Sequence, residues 1–438
     1  MTFVADESPP LVEIERRVLQ RAKDVALDMS TPTGEASLRS LIADEVATWN
    51  GEHQRGLRSL AITSPDLVAE RAFRNLARYG PLSPLLDDED VWEIMINSPS
   101  QIFVKRHTGS SGYHDEVFHD DEHVVRTLTK ILDEASTSHR KLDPSEGLQD
   151  AQLDDGARVH IVHGDVSRGG HLMVNIRKFT GVAFKTLDEL VEREMLTADA
   201  AGFLRACVRA NLSIIFAGAP GSGKTTLLSC CAAELDPSLR VVIAEEVFEA
   251  DVPIANLASM QTRAGRVDRP PVDLRRLVAG FLRMAPDIAI VGEVRDREAL
   301  PLLLTLSSGV KGFTTIHAGS ARQALTRLRF ICQLADSSTQ LPISALNTLV
   351  SESVDIVVAC TRGAHGPRVS EIVAVEDQTA GPDATQFTIT ELFHRRGDGP
   401  ELSWTGNVPV RCTRAFDDAG IDVRDALHPS GGGTWNRF

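Results

Sequence analysis

The stretch FAGAPGSGKTTLL, residues 216–228, decides the fold of the segment around it. Apolar residues at 212–217 predict a buried strand that ends at a glycine. Residues 218–225, GAPGSGKT, match GxxxxGK[ST], a loop whose glycines let the backbone approach a phosphate closely. The run 225–235 is apolar on one face and predicts a helix whose N-terminus faces that phosphate. Strand, loop and helix together predict a nucleotide-binding site.

The loop also predicts individual roles. Lys224 is expected to reach the β- and γ-phosphates, and the Thr225 hydroxyl is expected to ligate Mg²⁺. The predicted nucleotide-binding residues are Gly218, Ala219, Pro220, Gly221, Ser222, Gly223, Lys224, Thr225 and Thr226.

A second set of polar residues follows other predicted strands. Glu293 is expected to orient the attacking water or to hold the hydration shell of Mg²⁺. Glu245 and Glu246, with Glu249 nearby, repel one another, so we expect at least one of them to face the metal. His317 is expected to hydrogen-bond on the γ-phosphate side. The predicted metal ligands, partly through water, are Thr225, Glu245 and Glu293.

Composition narrows the class of protein. The chain has 438 residues and a net charge of −15, with no long basic run, which disfavours a nucleic-acid partner. Its six cysteines are scattered without a CxxC pair, so we expect reduced core residues. No apolar run reaches the roughly 18–20 residues of a membrane span, and no signal-peptide core precedes the first charges. These features predict a cytoplasmic protein.

The pattern along the chain predicts four regions. Residues 1–60 have apolar positions at helical spacing and predict a helical bundle. Residues 61–185 predict an α+β domain around a small antiparallel sheet. Residues 186–400 alternate strands with helices, as in a doubly wound α/β sheet. Residues 401–438 are predicted to be a C-terminal tail. The predicted strands of the third region include 212–217, 240–244, 288–291 and 312–316.

The ordered motifs resemble those of the secretion ATPases that power type II secretion, type IV pili and type IV secretion. The Walker A motif is 218–225, and IAEEVFE at 243–249 is similar to the family's Asp box. DIAIVGEVRDREAL at 287–300 is similar to its Walker B motif, and SGVKGFTTIHA at 308–318 to its His box. The resemblance runs over residues 79–393 and is nearest to the Flp/Tad pilus assembly branch, the CpaF-like ATPases.

This resemblance implies a RecA-like P-loop ATPase domain that uses ATP and Mg²⁺ and assembles as a ring-shaped homo-hexamer. It implies a cytoplasmic motor at the inner face of the membrane, acting on a polytopic membrane platform protein. It also implies that arginines assist hydrolysis from outside the phosphate loop, across the cleft to the preceding domain or from a neighbouring subunit. The matching residues here are Arg158, Arg177, Arg263 and Arg283.

The sequence departs from the family pattern at several positions. Glu246 stands where aspartate is usual, and Val310 where the first histidine of the His box is common. Gln152 replaces an arginine and Gly319 an asparagine. Glu246 and Val310 favour one alternative, an ATP-dependent scaffold that hydrolyses weakly. Two further alternatives stay open: a motor of conjugative type IV secretion and, against the charge, a nucleic-acid translocase.

Overall fold

The computed structural model describes residues 9–28, 31–107, 109–135, 141–178, 184–263, 270–335, 341–363, 366–377, 386–396 and 401–428. The chain forms two compact units, Met1–Thr180 and Gly181–Phe438. The division between them lies a few residues before the predicted start of the nucleotide-binding domain. No helix in the described ranges is long and apolar enough to span a bilayer.

The first unit contains short 3-10 turns at Gly80–Leu82 and Pro144–Glu146. Its helices and strands are α1 (Pro10–Asp24), α2 (Pro32–Gln54), α3 (Pro65–Ala77), α4 (Ser83–Asp87), β1 (Val91–Ser98), β2 (Gln101–Arg106), β3 (Gly112–Tyr113), α5 (Asp121–Glu134), β4 (Leu148–Gln152), β5 (Arg158–Val162) and β6 (Met173–Arg177).

Helices α1, α2 and α3 form the predicted bundle. The Thr31 hydroxyl accepts a hydrogen bond from the Gly34 amide and so caps the start of α2. The buried core of the bundle includes Phe73 of α3, so the bundle extends past the predicted boundary at residue 60. The buried carboxylate of Glu15 in α1 contacts Nε2 of His119 at 2.9 Å, which ties the bundle to the rest of this unit. The predicted regions 1–60 and 61–185 are therefore one compact unit.

The sheet of the first unit is antiparallel throughout, in the order β3-β2-β1-β6-β5-β4. Alternate residues of its strands are buried, among them Ile94, Val159 and Ile176, together with Leu128 of α5. This alternation predicted β1, β2, β5 and β6 from the sequence. Strands β3 and β4 were missed because one has two residues and the other is mostly polar.

The second unit also contains a 3-10 turn at Phe281–Met284. Its helices and strands are α6 (Leu187–Glu192), α7 (Ala198–Arg209), β7 (Ile214–Gly218), α8 (Lys224–Ala232), β8 (Val241–Glu245), β9 (Leu257–Gln261), α9 (Leu274–Val278), β10 (Ile288–Val294), α10 (Ala299–Ser307), β11 (Lys311–Ile316), α11 (Ala321–Ala335), α12 (Ile343–Ser353), β12 (Ile356–Gly363), β13 (Gly366–Val375), β14 (Ile389–Arg395), β15 (Leu402–Trp404), α13 (Thr413–Asp418) and α14 (Val423–Leu427).

The sheet of the second unit has nine strands, in the order β15-β14-β13-β12-β7-β11-β10-β8-β9. The six strands from β12 to β9 are parallel, and β13 to β15 extend them as an antiparallel meander. Consecutive residues Ile214 and Ile215 of β7 belong to two different hydrophobic cores, so both faces of the sheet are covered. The predicted RecA-like, doubly wound P-loop domain is confirmed.

The end of the described chain differs from the predicted tail at 401–438. Strand β15 continues the sheet, and Phe416 and Leu427 are fully buried in the core that also contains α7. Residues 401–428 therefore belong to the second unit. Their short helices offered no periodic pattern long enough to predict packing. The glycine-rich end at 429–438 lies outside the described residues.

A buried ion-pair network fastens this C-terminal segment. Asp355, 5% exposed, contacts Arg411 Nη2 at 2.9 Å and Lys311 Nζ at 2.9 Å, and it accepts a hydrogen bond from the Ser213 amide. Arg411 also donates to the backbone carbonyls of Ser351 and Val354. The arginine thus connects the segment to α12 and to the strand that follows it.

Replacing Arg411 with alanine is expected to lower the free energy of unfolding of the second unit by about 2–4 kcal/mol, because it leaves a buried carboxylate with less compensation. Chemical denaturation followed by a spectroscopic probe measures the change. Arg414→Ala is the matched control, since this arginine is 90% exposed and its loss is expected to cost less than about 0.5 kcal/mol. Equal stability of the two variants would contradict the role given to Arg411.

Candidate active site

The phosphate loop joins β7 to α8 at the carboxyl end of the parallel sheet. Gly221 and Gly223 have φ values of 71° and 86°, which side chains with a Cβ rarely adopt. A Cβ at Gly223 would also lie 2.9 Å from Met195 Cε and 3.0 Å from Pro367 Cβ. The sequence requirement for glycine at this position is therefore both conformational and steric.

The loop has the features of an anion site. Its amides precede a helix of nine residues whose first turn holds Thr225 and Thr226. The hydroxyl of Ser222 is buried and has no hydrogen-bond partner among the described residues. Backbone N–H groups at a helix N-terminus, together with an unsatisfied hydroxyl, suit a phosphate group.

Lys224 is folded back onto the loop. Its side chain is buried, and Nζ donates to the carbonyl oxygen of Ala219 at 3.0 Å. The same Nζ lies 3.4 Å from Nδ1 of His317. The predicted lysine, at the start of α8, and the predicted histidine, just after β11, are therefore brought together next to the loop.

His317 and Glu293 are in direct contact. His317 follows β11, Glu293 lies near the end of the neighbouring strand β10, and their Nε2 and Oε1 atoms are 2.7 Å apart. Nδ1 of His317 lies 3.2 Å from the carbonyl oxygen of Gly218. Burial lowers the pKa of His317; the charges of Lys224 and Arg295 act in the same direction, whereas the charge of Glu293 opposes them. An imidazole with this balance is neutral at pH 7 and can accept or donate one proton.

Arg295 is a site residue that the sequence reasoning missed. Its guanidinium contacts Oε2 of Glu293 at 2.7 Å through Nη2 and Oε2 of Glu246 at 2.7 Å through Nη1. Burial alone would raise the pKa of Glu293, but the hydrogen bond and charge of Arg295, the charge of His317 when it is protonated and the charge of Lys224 hold that pKa below its usual value. The sequence did contain a signal for Arg295: it is two residues after Glu293, and residues two apart in a strand lie on the same face.

The carboxylates of the Asp-box segment have separate environments. Glu245 is 2% exposed, and its Oε1 accepts hydrogen bonds from the Glu249 and Ala250 amides at 3.0 and 2.9 Å. It thereby holds the turn after β8, beside Gly292. Glu246 is exposed and faces Arg295. The role of Glu245 as a metal ligand stays a prediction, because one of its oxygens is already used by this turn.

The four predicted arginines lie apart from this cluster or in the other unit. Arg158 and Arg177 are directly opposite each other on β5 and β6 of the first unit. Arg263 pairs through its backbone with Val272, and its Nη2 donates to the carbonyl of Pro270. Arg283 is exposed in a 3-10 turn. The catalytic roles of these four arginines stay predictions.

The donor set near the loop fits Mg²⁺ with a nucleotide. Among the described residues, no three His, Cys, Asp or Glu side chains are grouped closely enough to hold a metal themselves. Mg²⁺ is commonly held by one or two protein oxygens together with substrate phosphates and water. Thr225, at the start of α8, and Glu293 are the residues of this chain that would supply such oxygens.

Comparison with protein families identifies the chain. The family model described as "Type II/IV secretion system protein" matches residues 75–385, most of the chain. The chain belongs to this family. The predicted resemblance to the secretion ATPases is therefore confirmed at the level of the family, and the match covers the sheet of the first unit and all four motifs. The helices of the bundle lie almost entirely before it.

Individual relatives are 27–31% identical to the chain over the aligned residues. The conjugal transfer protein TrbB of Rhizobium radiobacter is 30% identical over 307 residues, covering 66% of this chain and 85% of that protein. The type IV secretion system protein PtlH of Bordetella pertussis is 31% identical over 307 residues, covering 65% and 89%. The crystal structure of the VirB11 ATPase of the Brucella suis type IV secretion system, in complex with sulphate, is 27% identical with a TM-score of 0.35, covering 67% and 94%.

Proposed function

We propose that the protein is an ATPase of a type IV secretion system, in which ATP hydrolysis drives domain motion. The observation that carries the proposal is the contact series from Lys224 through His317 to Glu293, beside a complete phosphate loop. A cation for the phosphates and a carboxylate of lowered pKa that can orient water are groups that phosphoryl transfer to water uses, and His317 contacts both of them.

The residues have distinct tasks in this proposal. The loop amides and Lys224 would bind the β- and γ-phosphates, and Thr225 would hold Mg²⁺, which would supply positive charge to the phosphate oxygens. Glu293 orients the attacking water, because its carboxylate stays ionised and accepts a hydrogen bond. His317 keeps Glu293 in place from one side and Arg295 from the other.

The choice among secretion systems rests on the relatives. TrbB and PtlH are named for conjugal transfer and type IV secretion. These names favour the alternative of a type IV secretion motor. They disfavour the first interpretation, a Flp/Tad pilus assembly motor. A weakly hydrolysing scaffold is disfavoured by the contacts of Glu293 and His317, which place both side chains at the phosphate loop.

We further propose a homo-hexamer that works at the inner face of the cytoplasmic membrane on a polytopic platform protein. Light scattering with an ATP analogue is expected to detect a species of about six chains. Pull-down from membranes with an ATP-bound, hydrolysis-deficient variant tests the partner. Recovery of an integral membrane protein of a type IV secretion system supports the proposal, recovery of a pilus platform favours the Flp/Tad alternative, and recovery of nucleic acid alone contradicts both.

Arg158 and Arg177 are proposed to assist hydrolysis. The two residues are paired in register on neighbouring strands β5 and β6. A guanidinium stays charged and presents a fixed fork of donors, which suits phosphate oxygens.

Arg177→Ala and Arg158→Ala are each expected to lower turnover by about 10² or more, while ATP affinity stays within about tenfold. Steady-state ATPase rates per folded molecule and calorimetric ATP titrations measure both quantities. Arg168→Ala, an exposed arginine of the same unit, is the control. Unchanged turnover with a lowered melting temperature would assign the pair a structural role only.

A further inference from the structure

The phosphate loop has a second flank, on the side of the sheet away from Glu293 and His317. Strand β12 neighbours β7 there, with Cys360 in register with Gly218 at the end of β7. Because β12 continues beyond that point, its last residues run alongside the loop. Arg362 is one of them, and its Nη1 donates to the carbonyl oxygen of Gly221 at 3.2 Å.

Several contacts hold this flank. Arg362 is opposite Pro367 of β13, the residue whose Cβ would meet a side chain at Gly223. The Val369 amide donates to the carbonyl of Met195 at 2.8 Å. Buried Arg395 donates to the backbone carbonyls of both Val369 and Met195. The hairpin of β12 and β13 is thus fixed against the segment before α7, and Arg362 projects from it to the middle of the loop.

The position of this flank places it on the side of the loop where the α-phosphate and the nucleoside would lie. If the terminal phosphate lies toward Glu293 and His317, as the proposed function requires, the α-phosphate and the nucleoside lie nearer β12 than the γ-phosphate does. A guanidinium there keeps its charge at every relevant pH and donates in a fixed plane. Its bond to Gly221 holds one peptide of the loop so that the adjoining amides face the phosphates.

We propose that Arg362 is a positioning residue for nucleotide binding. It braces the phosphate loop at Gly221 and adds positive charge on the side of the α- and β-phosphates. This inference rests on the proposed function. It adds a residue outside the four motifs, on a strand end that the sequence analysis gave no role.

The test compares affinities for ADP and ATP, measured by titration calorimetry in the presence of Mg²⁺. Arg362→Ala is expected to weaken both by about tenfold, the loss of one hydrogen bond from a charged group. The effect is equal for the two nucleotides because Arg362 lies away from the γ-phosphate. Arg362→Lys keeps the charge without the planar fork and is expected to recover part of the affinity. In steady-state kinetics the change is expected in KM rather than in kcat.

Arg414→Ala, which removes an exposed guanidinium of the same unit, is the matched control and is expected to bind like the parent protein. Melting temperatures verify that each variant is folded. Parental affinity of Arg362→Ala for ADP would overturn the inference, as would a loss confined to ATP or a loss explained entirely by the unfolded fraction. A parent protein that binds neither nucleotide would overturn the proposed function itself, which separates the two failures.

Discussion

Replacing Lys224 with alanine is expected to weaken ATP binding by about 10²-fold or more, the loss of at least two hydrogen bonds from a charged group. In the structure this ammonium is buried within the loop and donates to Ala219. The same Nζ lies 3.4 Å from Nδ1 of His317. Titration calorimetry with Mg-ATP measures the effect.

The control for this substitution is Lys185→Ala, an exposed lysine of the same unit. It is expected to leave affinity unchanged, which excludes a general effect of removing one positive charge. An unchanged affinity in Lys224→Ala would show that the loop does not bind nucleotide as described. The melting temperature of Lys224→Ala is informative too, since the variant no longer buries a charged group at the loop.

Glu293→Gln is expected to retain ATP binding and to lower kcat by about 10²–10⁴, the usual contribution of a positioned base. Glutamine keeps the size of the side chain and its contacts to Arg295 and His317 in part, but it carries no negative charge to orient water. The loss therefore falls on the chemical step. Single-turnover measurement of phosphate release, at saturating ATP, isolates that step.

Glu352→Gln, an exposed glutamate at the end of α12, serves as the matched control and is expected to hydrolyse ATP like the parent. A turnover in Glu293→Gln within about twofold of the parent, under 0.5 kcal/mol in barrier, would remove Glu293 from the catalytic role. The membrane pull-down uses Glu293→Gln as its ATP-bound protein. The kinetic measurement therefore verifies, before the pull-down, that this variant does not hydrolyse ATP.

The sequence predicted the part of the site that depends on local pattern. The loop required glycine at positions where φ is positive, and the apolar runs before Gly218 and Glu293 could only be buried parallel strands. Because the carboxyl ends of parallel strands meet at one edge, placing Glu293 and His317 near the loop needed no tertiary information. The structure agrees with each of these steps.

Contacts between distant segments were beyond that reasoning. Arg295 bridges two carboxylates that come from different strands, and Arg362 reaches Gly221 from 141 residues away. The packing of 401–428 includes an ion pair between Arg411 and the buried Asp355, whose surroundings no local pattern encodes. Local sequence pattern also could not identify the secretion system, because members of one family share the four motifs whichever substrate they transport.

The contact series at the loop has an electrical consequence. Glu246, Arg295, Glu293, His317 and Lys224 follow one another in contact, and with a neutral imidazole their formal charges sum to zero. A free divalent cation or a free nucleotide would each disturb that neutrality by its full charge. In the proposed function the metal–nucleotide complex would arrive partly neutralised, so that the side chains would only have to exchange partners. The charge balance of these five side chains would then suit the complex better than either component alone.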